Sequence, residues 1–245
     1  MPTITLLHTN DLHNHFTTLQ AARLARLRNA LGSSGLLLDA GDAISAGNLT
    51  YNPAGESILE QMSEAGYDAM TVGNREFHLT EAGFCAKLHC ARFPVLCANV
   101  RVRDKGTRLP VQPFLLRTLA GNIRVGIFGL TVPMITERML VRKLSAYVFE
   151  EPLRKAAELV PTYRQQCDVL ICLSHIGLGK DRELAAVVPG IDLIVGGHTH
   201  AVLEAGEWVQ DTLIVHAGSH GRYFGVVSVE TRQGQRHWKA KVEPL

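Results

Sequence analysis

No apolar run in the 245-residue chain approaches the ~18 positions that a membrane-crossing helix requires. The opening stretch MPTITLLHTN has neither the basic start nor the long apolar core of a secretory leader. Both absences point to a cytoplasmic protein. An excess of one charge sign is missing too. The formal net charge is +2 with 20% charged and 46% hydrophobic residues, a balance that fits a soluble globular protein and argues against a nucleic-acid binder, a membrane protein or a disordered tail. Cysteine pairs at C-x-x-C spacing are absent. Cys85, Cys90, Cys97, Cys167 and Cys172 are odd in number and lie in apolar surroundings, which excludes a disulfide framework or a thiolate zinc site and predicts buried reduced thiols. There is no internal repeat, linker or low-complexity tract, and RVRDKGTRLP is the one polar loop of note. A single domain over residues 1–245 is therefore expected.

What is present is a succession of short, β-branched apolar runs. TITLLHT, GLLLDA, DAMTV, FPVLCANV, CDVLICLS and IDLIVGG each predict a largely buried strand. Between them, LQAARLARLRNAL spaces Leu24, Leu27 and Leu31 three and four apart, and GESILEQMSEAG does the same with Ile58, Met62 and Ala65. Both predict amphipathic helices lying on a sheet. EPLRKAAELVPTYRQQ starts a helix at Pro152, and Pro161 is expected to kink or break it. Two regions predict antiparallel pairing: PFLLRTLAGNIRVGIFGL, turning at AGN, and the C-terminal series TLIVHAG, YFGVVSVET and RHWKAKV. The fold class is α/β with mixed sheets.

The residues able to bind a metal fall at one recurring place. Asp11 and His13 follow the first strand, Asp42 the second and Asn74 the third. His175 follows a later strand, and His198 and His200 the strand after that. In open α/β sheets the carboxyl ends of strands are where binding sites form. Seven nitrogen and oxygen donors exceed the needs of one tetrahedral zinc but suit two five- or six-coordinate ions sharing a carboxylate. Asp42, set in DAGDA with an oxygen for each ion, is the natural bridge. Such a pair, ~3.5–4 Å apart, would clamp a hydroxide and a transferring phosphoryl group.

The blocks LLHTNDLHNHF, LLLDAGDA, VGNREF, LSHIG and PGIDLIVGGHTH, in that order, resemble the calcineurin-like metallophosphatases, specifically their 5′-nucleotidase branch. FPVLCANV, VGIFGLTVP and VHAGSHGRYFG extend the likeness over nearly the whole chain. The resemblance implies a four-layer αββα sandwich of two mixed sheets with a dinuclear site at their edge. It also implies two divalent ions, Mn²⁺, Fe²⁺ or Zn²⁺. Asp11, His13, Asp42 and His200 would hold one, and Asp42, Asn74, His175 and His198 the other. The implied reaction is hydrolysis of a small phosphorylated compound, nucleotides included, by a metal-held hydroxide attacking phosphorus in line. Glu76 is expected to brace its loop through backbone amides.

Two departures from that branch stand out. The branch typically has histidine after the asparagine and aspartate three residues later, where this chain has Arg75 and His78. Arginine cannot act as a general acid, but its planar fork can grip two phosphoryl oxygens. His78 remains a potential proton donor, and helical spacing would place it beside Arg75 at the mouth of the cluster. The second departure is length, since the branch carries a C-terminal substrate-binding domain that this chain is expected to lack. Two other functions are consistent with the altered motif: a non-catalytic metal- or nucleotide-binding relative that needs a partner subunit, and a sulfur-ester hydrolase. His8, His15, His89, His216, His220 and His237 read as structural histidines, with His15 the one most open to a site role because it shares the Asp11–His13 loop.

Overall fold

The computed structural model describes residues 3–232 and 235–245. The first seven strands are β1 (Thr3–Thr9), β2 (Gly35–Asp39), β3 (Ala69–Thr71), β4 (Val95–Leu96), β5 (Val100–Val102), β6 (Phe114–Leu119) and β7 (Ile123–Thr131). They are followed by β8 (Tyr147–Phe149), β9 (Val169–His175), β10 (Leu193–Gly196), β11 (Glu207–Val209), β12 (Thr212–Val215), β13 (Tyr223–Arg232) and β14 (Gln235–Pro244). The helices are α1 (Thr18–Leu31), α2 (Ser57–Glu64), α3 (Glu81–Leu88), α4 (Pro152–Arg164) and α5 (Leu178–Val187).

Two six-stranded sheets carry the fold, ordered β14-β13-β1-β2-β3-β4 and β11-β12-β10-β9-β7-β6, with β5 and β8 as a separate ribbon. Their central strands are apolar at successive positions because both faces are covered. Leu6, Leu36, Leu38, Val125, Ile127, Ile171 and Leu173 form the core between the sheets. Leu7 and Leu37 face the other way, against Leu24 of α1, Leu59 and Met62 of α2 and Phe84 of α3. Phe128, Leu170 and Cys172 pack outward on Ala156 and Val160 of α4 and Leu184 of α5. This is the expected α/β sandwich with four layers, αββα. No helix of the described residues is long and apolar enough to cross a membrane.

Several local expectations hold. LQAARLARLRNAL falls within α1, and AGN turns the β6–β7 hairpin. All five cysteines are free; Cys97, Cys167 and Cys172 are buried, and Cys85 and Cys90 partly so.

Three expectations need correction. Leu27 lies at the exposed edge of α1, whereas Leu24 is fully buried. Pro161 does not break α4, which runs on to Arg164. Pro161 sits on the solvent face, as does Ala157 one turn back, so the carbonyl deprived of its amide partner can turn to water. Finally, TLIVHAG does not join the C-terminal antiparallel run. β12 pairs parallel with β10 and antiparallel only with β11, inside the second sheet, while β13 and β14 pair in the first. Its four residues are all buried, as suits a parallel strand covered on both faces.

Candidate metal centre

β1, β2 and β3 run parallel in one sheet, as do β7, β9 and β10 in the other, so each sheet presents a set of carboxyl ends. The two sets meet where His175 at the end of β9 places its Nδ1 2.7 Å from the carbonyl oxygen of Ala40, just after β2. That contact assigns the ring's proton to Nδ1 and frees Nε2 to act as a ligand.

The seven donors converge there. Asp11, His13 and His200 offer ligand atoms within 4.8 Å of one another, as do Asp11, Asp42 and His175. The Nε2 atoms of His13 and His200 are 3.1 Å apart. His198 Nδ1 lies 3.1 Å from Asn74 Oδ1, and the His198 ring packs edge-on to His175 at 5.1 Å between centroids. The two oxygens of Asp42 are differently placed: Oδ1 is 3.5 Å from His175 Nε2, and Oδ2 is 4.0 Å from His13 Nε2.

Each carboxylate is oriented by its neighbours. Asn10 Nδ2 (2.8 Å) and the His198 amide (2.9 Å) donate to Asp11 Oδ2, leaving Oδ1 to face His200 at 3.4 Å. The Arg75 amide donates to Asp42 Oδ1 at 2.7 Å. Glu76 is fully buried and accepts from the amides of Gly73 (2.7 Å), Asp42 (2.9 Å) and Ile44 (3.2 Å), as its expected bracing role requires. Burial, followed by the charge of Asp42, pushes its carboxyl up to about 7. The loops it ties together touch at Gly73, where a Cβ would collide with the amide and carboxylate of Asp42. Asp11, His13, Asp42, His198 and His200 all hold left-handed backbone, with φ between 48° and 74°. Non-glycine residues adopt that region at a cost, and its clustering at one edge marks a pre-set site.

The arrangement suits divalent cations on its own chemistry. Asp11 Oδ1 and His175 Nε2 are buried without a hydrogen-bond partner, and each faces the cluster. Such atoms cost about 1–3 kcal/mol unless something satisfies them. The electrostatics point the same way. Burial opposes charge on His175, yet the nearby carboxylate of Asp42, with Asp11 behind it, raises its pKa to about 9. The field that holds a proton there would also hold a metal ion.

Beside the cluster lies a cleft of about 290 Å³ lined by His13, His15, Ser45, Arg75, His200 and His220. Arg75 thus shares a wall with the donors. Its Nε is buried without a hydrogen-bond partner, and among the described residues no carboxylate pairs with its side chain. His78 is held elsewhere. Its Nδ1 is 3.1 Å from the Thr80 amide and 2.9 Å from Thr80 Oγ1, and its ring packs edge-on to Tyr51. It is buried and not among the residues lining the cleft, and burial holds its pKa below the usual histidine range. A larger groove of about 620 Å³, flanked by Cys85, His89 and Arg108, contains none of the seven donors.

Ser45, His220 and Lys87 escaped sequence reasoning. The His220 ring lies 4.9 Å from that of His15 and 5.2 Å from that of His13, and its amide donates to the Asp11 carbonyl at 2.8 Å. The only sequence signal was its place inside VHAGSHGRYFG. His8 and His216 are buried, as their structural reading requires.

Three similar proteins give the chain its context. The trifunctional nucleotide phosphoesterase protein YfkN of Bacillus subtilis (strain 168) is 32% identical over 266 residues, covering 92% of this chain and 18% of that protein. A probable 5′-nucleotidase of Treponema pallidum (strain Nichols) is 33% identical over 223 residues, covering 82% of this chain and 37% of that protein. The crystal structure of a 5′-nucleotidase precursor from Thermus thermophilus superposes with a TM-score of 0.82 at 27% identity, covering 99% of this chain and 54% of that one. The chain therefore spans roughly half or less of the length of these relatives. With two sheets meeting at a ring of donors and the family's sequence pattern matching residues 4–202, the chain belongs to the calcineurin-like phosphoesterase family.

Proposed function

We propose that the chain is a dinuclear-metal-dependent phosphoric ester hydrolase acting on a small phosphorylated compound. The observation that carries this reading is the gathering of Asp11, His13, Asp42, His175 and His200, with the His198–Asn74 pair beside them, around an Asp42 whose two oxygens face different histidines, next to a cleft that presents Arg75. Asp11, His13, Asp42 and His200 would hold one ion, and Asp42, Asn74, His175 and His198 the other. Divalent ions in these positions would lower the pKa of water toward ~7 and offset charge on phosphoryl oxygens; Mn²⁺, Fe²⁺ and Zn²⁺ all suit the donor set.

The remaining work falls to the chain's own side chains. Arg75 binds two phosphoryl oxygens through its planar fork, replacing a proton donor with an anion clamp. His78 is anchored on Thr80 and supports the loop that carries Arg75. Arg75 gives no proton and His78 is held on Thr80, so acid help to the leaving group, worth about 10²–10⁴-fold to poor ones, would fall to the cleft imidazoles His15 and His220. The cleft offers imidazoles, a hydroxyl and a guanidinium but no phenyl, phenol or indole face, so it recognises the phosphoryl end of a substrate more than a base. Nucleotide substrates, suggested by the relatives' names, belong to the test.

After chelation, the protein is expected to regain hydrolysis of p-nitrophenyl phosphate when Mn²⁺ is added, with bis-p-nitrophenyl phosphate and nucleotides ranking its ester preference. Bound metal without turnover would instead identify a non-catalytic relative. R75A is expected to raise KM for phosphate esters and the inhibition constant for inorganic phosphate by about ten- to a hundredfold. Unchanged values for both would remove the clamp.

A further inference from the structure

Lys87 is the least expected polar residue near the cleft. It lies in the last turn of α3 and is fully buried. Its ammonium gives all three protons to backbone carbonyls: Arg75 at 2.6 Å, Gly47 at 2.8 Å and Phe77 at 3.0 Å. Burial pulls its pKa down to about 8, with the charge of Glu76 acting in the opposite sense.

Those carbonyls belong to the two segments that wall the cleft. Gly47 is two residues beyond Ser45, and Arg75 and Phe77 flank Glu76. Glu76 takes the amides of the same two segments, at Asp42, Ile44 and Gly73. A buried anion thus gathers their N–H groups and a buried cation their C=O groups, fixing the peptide units on both sides of the Arg75 Cα. The Arg75 amide is tied to Asp42 and its carbonyl to Lys87, so only the side chain is free to reach into the cleft. A buried ammonium is an expensive loop anchor, since desolvating it must be repaid by every bond it makes.

We propose that Lys87 is a positioning residue that sets the reach of the Arg75 guanidinium toward a bound phosphoryl group. The proposal rests on Arg75 serving as the anion clamp. Misplacing such a group by about 1 Å loses much of its binding. K87M, which keeps the chain length and removes the donors, should raise KM for p-nitrophenyl phosphate about tenfold. The calorimetric dissociation constant for inorganic phosphate should rise in parallel. kcat should stay within about threefold and Mn²⁺ stoichiometry should hold, a split that general loosening of the fold would not give.

The deciding arm is a double-mutant cycle. In the R75A background K87M should change KM and phosphate affinity no further. Equal changes in both backgrounds, or wild-type constants in folded K87M, would overturn the proposal. If K87M fails to accumulate as folded protein, K87R enters the same cycle, because a planar guanidinium on a longer stem does not reproduce the three tetrahedral N–H directions of the ammonium. Wild-type constants for K87R would be equally fatal. R75A alone separates the two claims: if it leaves KM and phosphate binding unchanged, the clamp itself fails, whereas a response to R75A but not to Lys87 substitution rejects only the positioning role.

Discussion

Asp42→Asn is expected to lower metal-dependent turnover by on the order of 10³-fold and to reduce bound divalent ions from about two per chain to one or fewer. The substitution is nearly isosteric and keeps the Oδ1 acceptor that takes the Arg75 amide at 2.7 Å. It replaces Oδ2, the oxygen turned toward His13, with an NH₂ group that offers no lone pair to a cation. An amide can serve one ion and cannot bridge two. Elemental analysis of reconstituted protein, alongside initial rates with p-nitrophenyl phosphate, gives both readouts from one preparation. Wild-type metal content together with wild-type rate would end the case for a shared carboxylate.

A second large effect concerns acid stability. His8 in β1 is buried, its Nδ1 lacks a partner, and a Cβ at Gly225 on the paired strand would run into its Nε2. Burial, with a smaller push from His216, lowers its pKa from 6.5 to about 3. Between those values the unfolded chain binds a proton that the folded chain refuses. The stability this group contributes is therefore complete above pH 6.5 and drains away as the pH falls toward 3. The slope is about 1.4 kcal/mol per pH unit, on the order of 4–5 kcal/mol over the whole window. Buried Asp39 and Glu76, whose carboxyls burial pushes up, titrate in the opposite sense. The diagnostic is thus a comparison with His8→Leu, whose thermal midpoint should fall less steeply between pH 6.5 and 4. Parallel curves for the two proteins would reject His8 as the acid-sensitive group.

The meeting place of the candidate donors is legible because strand ends announce themselves. TITLLHT, GLLLDA and IDLIVGG are apolar on both faces and stop abruptly at Asp, Asn, Gly or His, so the donors could be assigned to one edge from the residues alone. The partner of a buried strand was less legible. A run such as TLIV says that both faces are covered but not which neighbour it pairs with, and the hairpin formed with β11 could not be foreseen from its sequence. His220 and Lys87 were missed for different reasons. His220 is held at the cleft through its amide's bond to the Asp11 carbonyl, a long-range contact with no periodic signature. Lys87 sits on a short helix, where lysine normally means a solvated face, and three converging carbonyls reverse that rule. Helical spacing predicts His78 beside Arg75. The chain between Asn74 and Thr80 instead turns without forming a helix, and its ring rests on Thr80.

His175 comes from one sheet and Asp11, His13 and Asp42 from the other, with His198 and His200 returning to the side of His175. Ions seated among them would rivet the seam along which the two halves of the sandwich meet. Metal loading should then report well beyond the mouth of the cleft, slowing amide exchange at the carboxyl ends of β2 and β9 and making the halves unfold in concert.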